Sequence, residues 1–200
     1  MNFSFSNLII VSFGIMFFSS CHKSDKYEKY IKELDSLKIV IEQSIVNFNS
    51  IDSATCYNAY SKQYTYANFI NVNLKDTVPK ATAEALQTFY LLGRNMENYL
   101  AMRPVWILES HKSITQLINL SHDLKNGSVT DKEAVDFINE EKKEAEKIII
   151  ELNKNTDSIR FQLEQFNLNI ATVEIVVKKL NHEILPEIVT PVIKAHKEKD

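Results

Sequence analysis

Punctuation is what this chain lacks. Its 200 residues include three Gly and four Pro, and one of the glycines, Gly14, lies in the apolar N-terminal stretch. Tight turns, hairpins and bulges draw on these two residues, so their scarcity argues for long helices over sheet. Cysteine is nearly absent as well. Cys21 and Cys56 are too few for a disulfide scaffold, and neither sits in a C-x-x-C arrangement that would mark a zinc or thiol-redox site. There is no glycine-rich phosphate loop, no nucleophile elbow and no H-E-x-x-H pair. The E-x-x-H motif of di-iron helical bundles is missing too. The histidines are scattered at His22, His111, His122, His182 and His196. His111 and His122 are three turns apart on one helical segment, roughly 16 Å, too far to share a metal ion. Charge excludes another class: 23 Lys and Arg stand against 26 Asp and Glu, for a net charge of -3. Without a basic block, nucleic-acid binding is not supported. No catalytic residue, metal site or cofactor is assigned, and the chain reads as a non-enzyme.

One long apolar run is present, and it opens the chain. Residues 8–18 are almost wholly apolar, Ser19 and Ser20 follow, and then comes Cys21 ahead of a charged stretch beginning His22-Lys23. At about 1.5 Å per residue the run is too short to cross a hydrocarbon core of about 30 Å, so it reads as a secretory signal and not a membrane span. Small residues followed by this cysteine resemble the signal of bacterial lipoproteins. The resemblance covers about a tenth of the chain and implies cleavage before Cys21, diacylation of that residue and a mature protein held at a membrane. It also implies that Cys56 has no intrachain partner, and its apolar surroundings suggest a buried free thiol. With His22 where an inner-membrane retention signal would carry Asp, the outer membrane is the favoured location. The resulting division is a signal peptide over residues 1–20, a short tether over 21–24, a helical bundle over 25–185 and a C-terminal tail over 186–200.

The body contains three long helical stretches. The first, about residues 25–73, repeats apolar groups at Tyr27, Tyr30, Ile31, Leu34, Leu37, Ile41, Ile45 and Phe48, a spacing of three and four, and resumes that pattern further on through Tyr57, Tyr60, Tyr64, Phe69 and Val72. Its pattern loosens around residues 49–53, which is either a cap and a break or the wet side of a continuing helix. Pro79 then marks the second start. That segment carries Ala85, Phe89, Leu92, Met96, Leu100, Ile107, Ile114, Leu117 and Leu124 on one broad stripe and stops at Asn126-Gly127. Pro104 interrupts it, so a kink or a junction of two helices is expected near Met102. Thr130 and Glu133 spell a capping box for the third segment. Its core positions from Ile138 to Ile184 run up to Pro186, with Asn155 or Thr156 as the polar member and a local stutter there. A helix over residues 131–185 would be about 80 Å long and needs partners along it. The expected fold is therefore all-α: an elongated antiparallel three-helix bundle with coiled-coil-like packing and kinks near residues 50 and 104. A five-helix bundle, broken at both places, is the competing form.

Aromatics supply the remaining functional signal. Tyr57, Tyr60, Tyr64, Tyr66 and Phe69 lie on one segment, and Phe89, Tyr90, Tyr99 and Trp106 on the next. Antiparallel packing would bring the groups together and line a groove or interface. The interaction surface assigned on this basis is Tyr60, Tyr64, Tyr99, Arg103 and Trp106. The functional expectation is a membrane-anchored lipoprotein acting as a structural or protein-interaction module of the bacterial envelope. Its partners would be membrane lipid through acylated Cys21 and an envelope protein, with homo-oligomerisation left open. The alternative is a small-ligand or polymer binder using the aromatic groove.

Overall fold

A computed structural model describes residues 23–193. The leader, Cys21 and residues 194–200 lie outside the described residues, and with them the expectations that fall there. Among the described residues there are four helices: α1 (Lys23–Asn49), α2 (Ser53–Asn73), α3 (Lys80–Asn126) and α4 (Asp131–Leu180). The protein is all-helical, with no strand among the described residues.

The expected three-helix count is corrected to four, and the competing five-helix form is half right. The first stretch breaks after Asn49 and the second does not break at Pro104. The break has local causes. Asp52 accepts hydrogen bonds from the backbone of Ala54 (3.2 Å) and Thr55 (2.9 Å) and from the Thr55 hydroxyl (2.6 Å), capping α2. These three bonds, the Thr55 hydroxyl's first, hold the Asp52 carboxyl below its ordinary range. Ile51 is buried within the break, while Arg103 donates to Asn49 (2.8 Å) and Arg160 to Ser50 (3.0 Å). Around Pro104, α3 runs on as one helix. The ring is on the exposed side, where water can serve the carbonyl that loses its donor.

The caps at the α3–α4 link follow expectation. Ser128 N–H donates to Asp123 O (3.0 Å) around Gly127, whose φ of 64° suits the left-handed closing position. Thr130 N–H donates to Glu133 Oε2 (3.0 Å), and Glu133 N–H donates back to Thr130 Oγ1 (3.4 Å), the reciprocal pair of a capping box. The end of α4 is corrected. It stops at Leu180, not Leu185, through the same closing motif, with Glu183 N–H on Lys178 O (2.8 Å) and His182 at φ 50°. No glycine announces this stop.

The chain divides into two compact units. Of the described residues, 41–111 and 147–193 form the larger and 23–40 with 112–146 the smaller. In the smaller unit Tyr27, Ile31 and Leu34 of α1 are buried, as are Leu117 and Leu124 of α3 and Ala134, Ile138 and Ala145 of α4. Asp131 at the start of α4 accepts from Tyr27 Oη (2.5 Å) and pairs with Lys26 (2.5 Å), and Lys142 pairs with Glu33 (2.8 Å). In the larger unit Phe48, Ile70, Met96, Leu152 and Val173 are fully buried, and Phe89 stacks on Phe166 at 5.8 Å. Each such aliphatic side chain contributes roughly 1.5–3 kcal/mol by leaving water.

Along α4 the buried residues Ile138, Ala145, Leu152, Ile159, Phe166 and Val173 fall at unbroken steps of seven. The expected stutter is absent from this seam. Thr156, not Asn155, is the buried polar residue beside it, and its hydroxyl donates to Leu152 O (2.7 Å). On α2 the expected aromatic stripe is also redrawn. Cys56, Ala59, Tyr60, Gln63, Tyr66 and Ile70 are buried, whereas Tyr64 and Val72 are exposed. The reason lies at the other end of the chain. Beyond α4, residues 184–193 return as an extended strap over α2, with Val189 N–H on Thr65 Oγ1 (3.0 Å) and Tyr57 Oη on Pro191 O (3.2 Å). That extra cover lets α2 bury small and polar residues that no two-sided stripe would place inside. Cys56 is a buried free thiol, as expected.

Candidate functional site

The larger unit holds a cavity of about 570 Å³, bounded by α2, α3 and the strap. Its size falls within the range of small-molecule sites. From α2 come Tyr60 and Tyr64, one turn apart, with ring centroids 6.3 Å apart and planes tilted by 54°. From α3 come Tyr90, Arg94 and Glu97, at helical steps that put them along one side. Residues 189–192 form the remaining wall.

Close approach of α2 to α3 creates this geometry, and Gly93 permits it. Gln63, buried on α2, donates through Nε2 to the carbonyls of Phe89 (3.2 Å) and Tyr90 (3.4 Å). A Cβ at position 93 would stand 2.7 Å from Gln63 Cδ and 2.9 Å from its Nε2. Tyr90 Oη is tied to Ala67 O (3.2 Å), a second clasp between the helices. Burial, and then the nearby Glu97 carboxylate, pushes the Tyr60 hydroxyl up to about 12. The phenol is therefore neutral at physiological pH, with the Glu97 carboxylate nearby. Arg94 makes no hydrogen bond or ion pair with the other described residues.

Of the five residues assigned from sequence, the structure brings two to this cavity. Tyr60 is 4% exposed and Tyr64 is 41% exposed. Tyr99, Arg103 and Trp106 gather instead around Phe48, which sequence reasoning treated only as core. Phe48 lies 5.3 Å from the Tyr99 ring and 5.8 Å from Trp106, and the Arg103 guanidinium stands 5.9 Å over it. This second group is a packed cluster that pins the α1–α2 break, since the same Arg103 reaches Asn49. Tyr99 is buried, and burial pushes its hydroxyl up despite the opposing influence of Arg103. Arg94, Glu97, Tyr90 and the strap were missed as site residues. The spacing of Arg94 and Glu97 on the tyrosine-bearing segment was a readable signal; the return of the strap was not.

The same unit holds a smaller cavity of about 330 Å³ beside the α2–α3 link, walled in part by Val78, Ile175 and Val176. Among the described residues no group of three or more His, Cys, Asp or Glu could hold a metal ion. Burial pushes the Cys56 thiol up to about 12, so it is inert as a nucleophile where it sits. No family model, curated protein or solved structure matches this chain.

Proposed function

We propose that this protein is lipid-anchored in the bacterial envelope, with outer-membrane placement favoured by His22, and that its helical body holds other proteins at the membrane surface. The observation that carries the reading is the leader: an apolar run over residues 8–18, then Ser19, Ser20 and Cys21 ahead of a charged chain. Two acyl chains at Cys21 give stable attachment where one would be marginal. Among the described residues no helix is long and apolar enough to cross a membrane.

Contact with proteins is supported by α4. Phe161, Leu168 and Ile175 are each more than half exposed and fall at steps of seven, two residues ahead of the buried seam. Two residues is about 200° of helix, so this apolar row points away from the chain's own core and suits a helix of a partner protein. The test combines metabolic labelling by an alkyne fatty acid with a crosslinking pull-down from native membranes. The intact chain should carry label and recover a defined envelope protein. Cys21→Ser should lose both, and Leu168→Glu should lose the partner but keep the label. An unlabelled, freely soluble chain with no partner would refute the proposal.

A second reading rests on a separate observation, the 570 Å³ cavity with its tyrosine wedge. A lipid-anchored binder of small ligands would need such a recess, whereas a pure scaffold would not.

A further inference from the structure

We infer that the cavity bounded by α2, α3 and the strap takes a small zwitterion, with its anionic group on Arg94 and its ammonium between Glu97 and the tyrosine rings. This deepens the small-ligand reading and rests on it.

Charge placement carries the argument. Arg94 and Glu97 both line the cavity and are three residues apart on α3, which sets their Cβ atoms about 5–6 Å apart. Opposite charges at that spacing commonly bridge each other, yet no ion pair joins these two and Arg94 has no partner among the described residues. The walls thus present a separated positive and negative charge. A lone anion would meet Glu97, a lone cation would meet Arg94, and a neutral ligand would leave both without a counter-charge. A molecule with both charges a few bonds apart satisfies both.

The surroundings fit each end. One Glu97 oxygen can take the Tyr60 hydroxyl while its remaining lone pairs accept from an ammonium. Tyr60 and Tyr64, tilted by 54°, offer a wedge of aromatic faces, the geometry that attracts an organic cation. Arg94 is exposed, and its planar fork matches the two oxygens of a carboxylate or phosphate. Val189 and Val192 of the strap are exposed on the facing wall and would be covered by the ligand's apolar body. Two sources share this chemistry: a free amino acid or peptide, and a phospholipid headgroup.

The test is isothermal titration calorimetry on the full chain in a polyoxyethylene detergent. The probes are L-phenylalanine for the amino-acid source and phosphocholine for the headgroup. Acetate and choline are the single-charge controls, and N-acetylglucosamine is the neutral one. At least one zwitterion should bind at least tenfold more tightly than either single-charge control. Arg94→Gln and Glu97→Gln should each weaken it tenfold or more, with Arg94→Lys recovering part of the loss and helicity unchanged throughout. Binding of phenylalanine alone identifies the amino-acid source, binding of phosphocholine alone the headgroup, and binding of both a generic zwitterion site. Acetate or choline binding as tightly as the zwitterions, or indifference to both Gln variants, overturns the inference. If the sugar binds and neither zwitterion does, the cavity reading survives and this inference falls. If no probe binds, both fall.

Discussion

Replacing Gly93 with alanine should destabilise this protein, although alanine is ordinarily the better helix residue by about 1 kcal/mol. The obstacle is Gln63. A new Cβ would stand 2.7 Å from its Cδ, against the 3.4 Å at which ordinary contact begins. A flexible amide on a surface would swing aside, but this one is buried and its NH₂ group spans the carbonyls of Phe89 and Tyr90. Displacing it forfeits about 1 kcal/mol of net hydrogen bonding and leaves a buried amide unsatisfied, at a further cost of about 1–3 kcal/mol. After the gain in propensity the expected loss is about 1–3 kcal/mol, or about 2–12 °C in melting temperature for a chain of this size. The decisive step is to repeat the change in a Gln63→Ala background. There the obstruction is gone, and Gly93→Ala should stabilise by about 0.5–1 kcal/mol. Urea unfolding followed by far-UV circular dichroism would supply the four corners of the cycle, with a coupling of about 1.5–4 kcal/mol expected. If alanine at 93 stabilises the wild-type background, or acts with the same sign in both, the close approach of α2 and α3 is not as described.

Three further outcomes can be checked. His182→Gly should stabilise by about 1 kcal/mol and Gly127→Ala should destabilise by a similar amount, because both positions close a helix at positive φ; thermal melts would decide. Cys56 rises from its ordinary 9.0 to about 12 and Tyr60 from 10.0 to about 12. Both are neutral in the fold while the unfolded chain ionises first, so their stability contribution is whole below about pH 9 and falls as pH climbs from there to about 12. Stability against pH would show this decline, shallower in Cys56→Ala, and iodoacetamide should label Cys56 at pH 8 only after denaturant is added. Leu152→Ala, in the seven-step seam, should cost about 2–5 kcal/mol by equilibrium unfolding, whereas Leu168→Ala on the outer row should change stability by less than about 0.5 kcal/mol.

What could be read from the sequence is what neighbouring residues decide among themselves. Thr130 and Glu133 cap each other within one turn, Gly127 supplies its own conformation, and Asp52 reaches amides two and three residues away. Such features need no knowledge of the rest of the chain. The seam of α4 was legible for a related reason, since a helix declares its buried face by period. Misreadings arose where distant segments intervene. The bonds that seat the strap, Val189 to Thr65 and Tyr57 to Pro191, join residues more than 120 apart, and no local pattern encodes them. Because the strap covers α2, that helix has no single dry face, and of the stripe read through Tyr57, Tyr60, Tyr64, Phe69 and Val72 only Tyr60 is buried, while Tyr64 and Val72 are exposed. His182 shows the converse: a non-glycine residue held at positive φ by its surroundings carries no compositional mark. The aromatic surface was read as one site because antiparallel packing was expected to bring the aromatics of two segments together. Phe48, reaching in from α1, draws Tyr99 and Trp106 away from Tyr60 and Tyr64.

The strap also sets an order of events as the chain is made. The helical walls of the cavity are complete once Glu97 has been added, whereas the facing wall waits for residues 189–192. At ordinary rates of synthesis those roughly ninety residues take about 5–20 s. Throughout that interval the tyrosine face of α2 has no cover from its own chain. A protease that nicked the exposed turn at His182 and Glu183 would return the finished protein to the same state, with its four helices uncut and its binding recess open on one side.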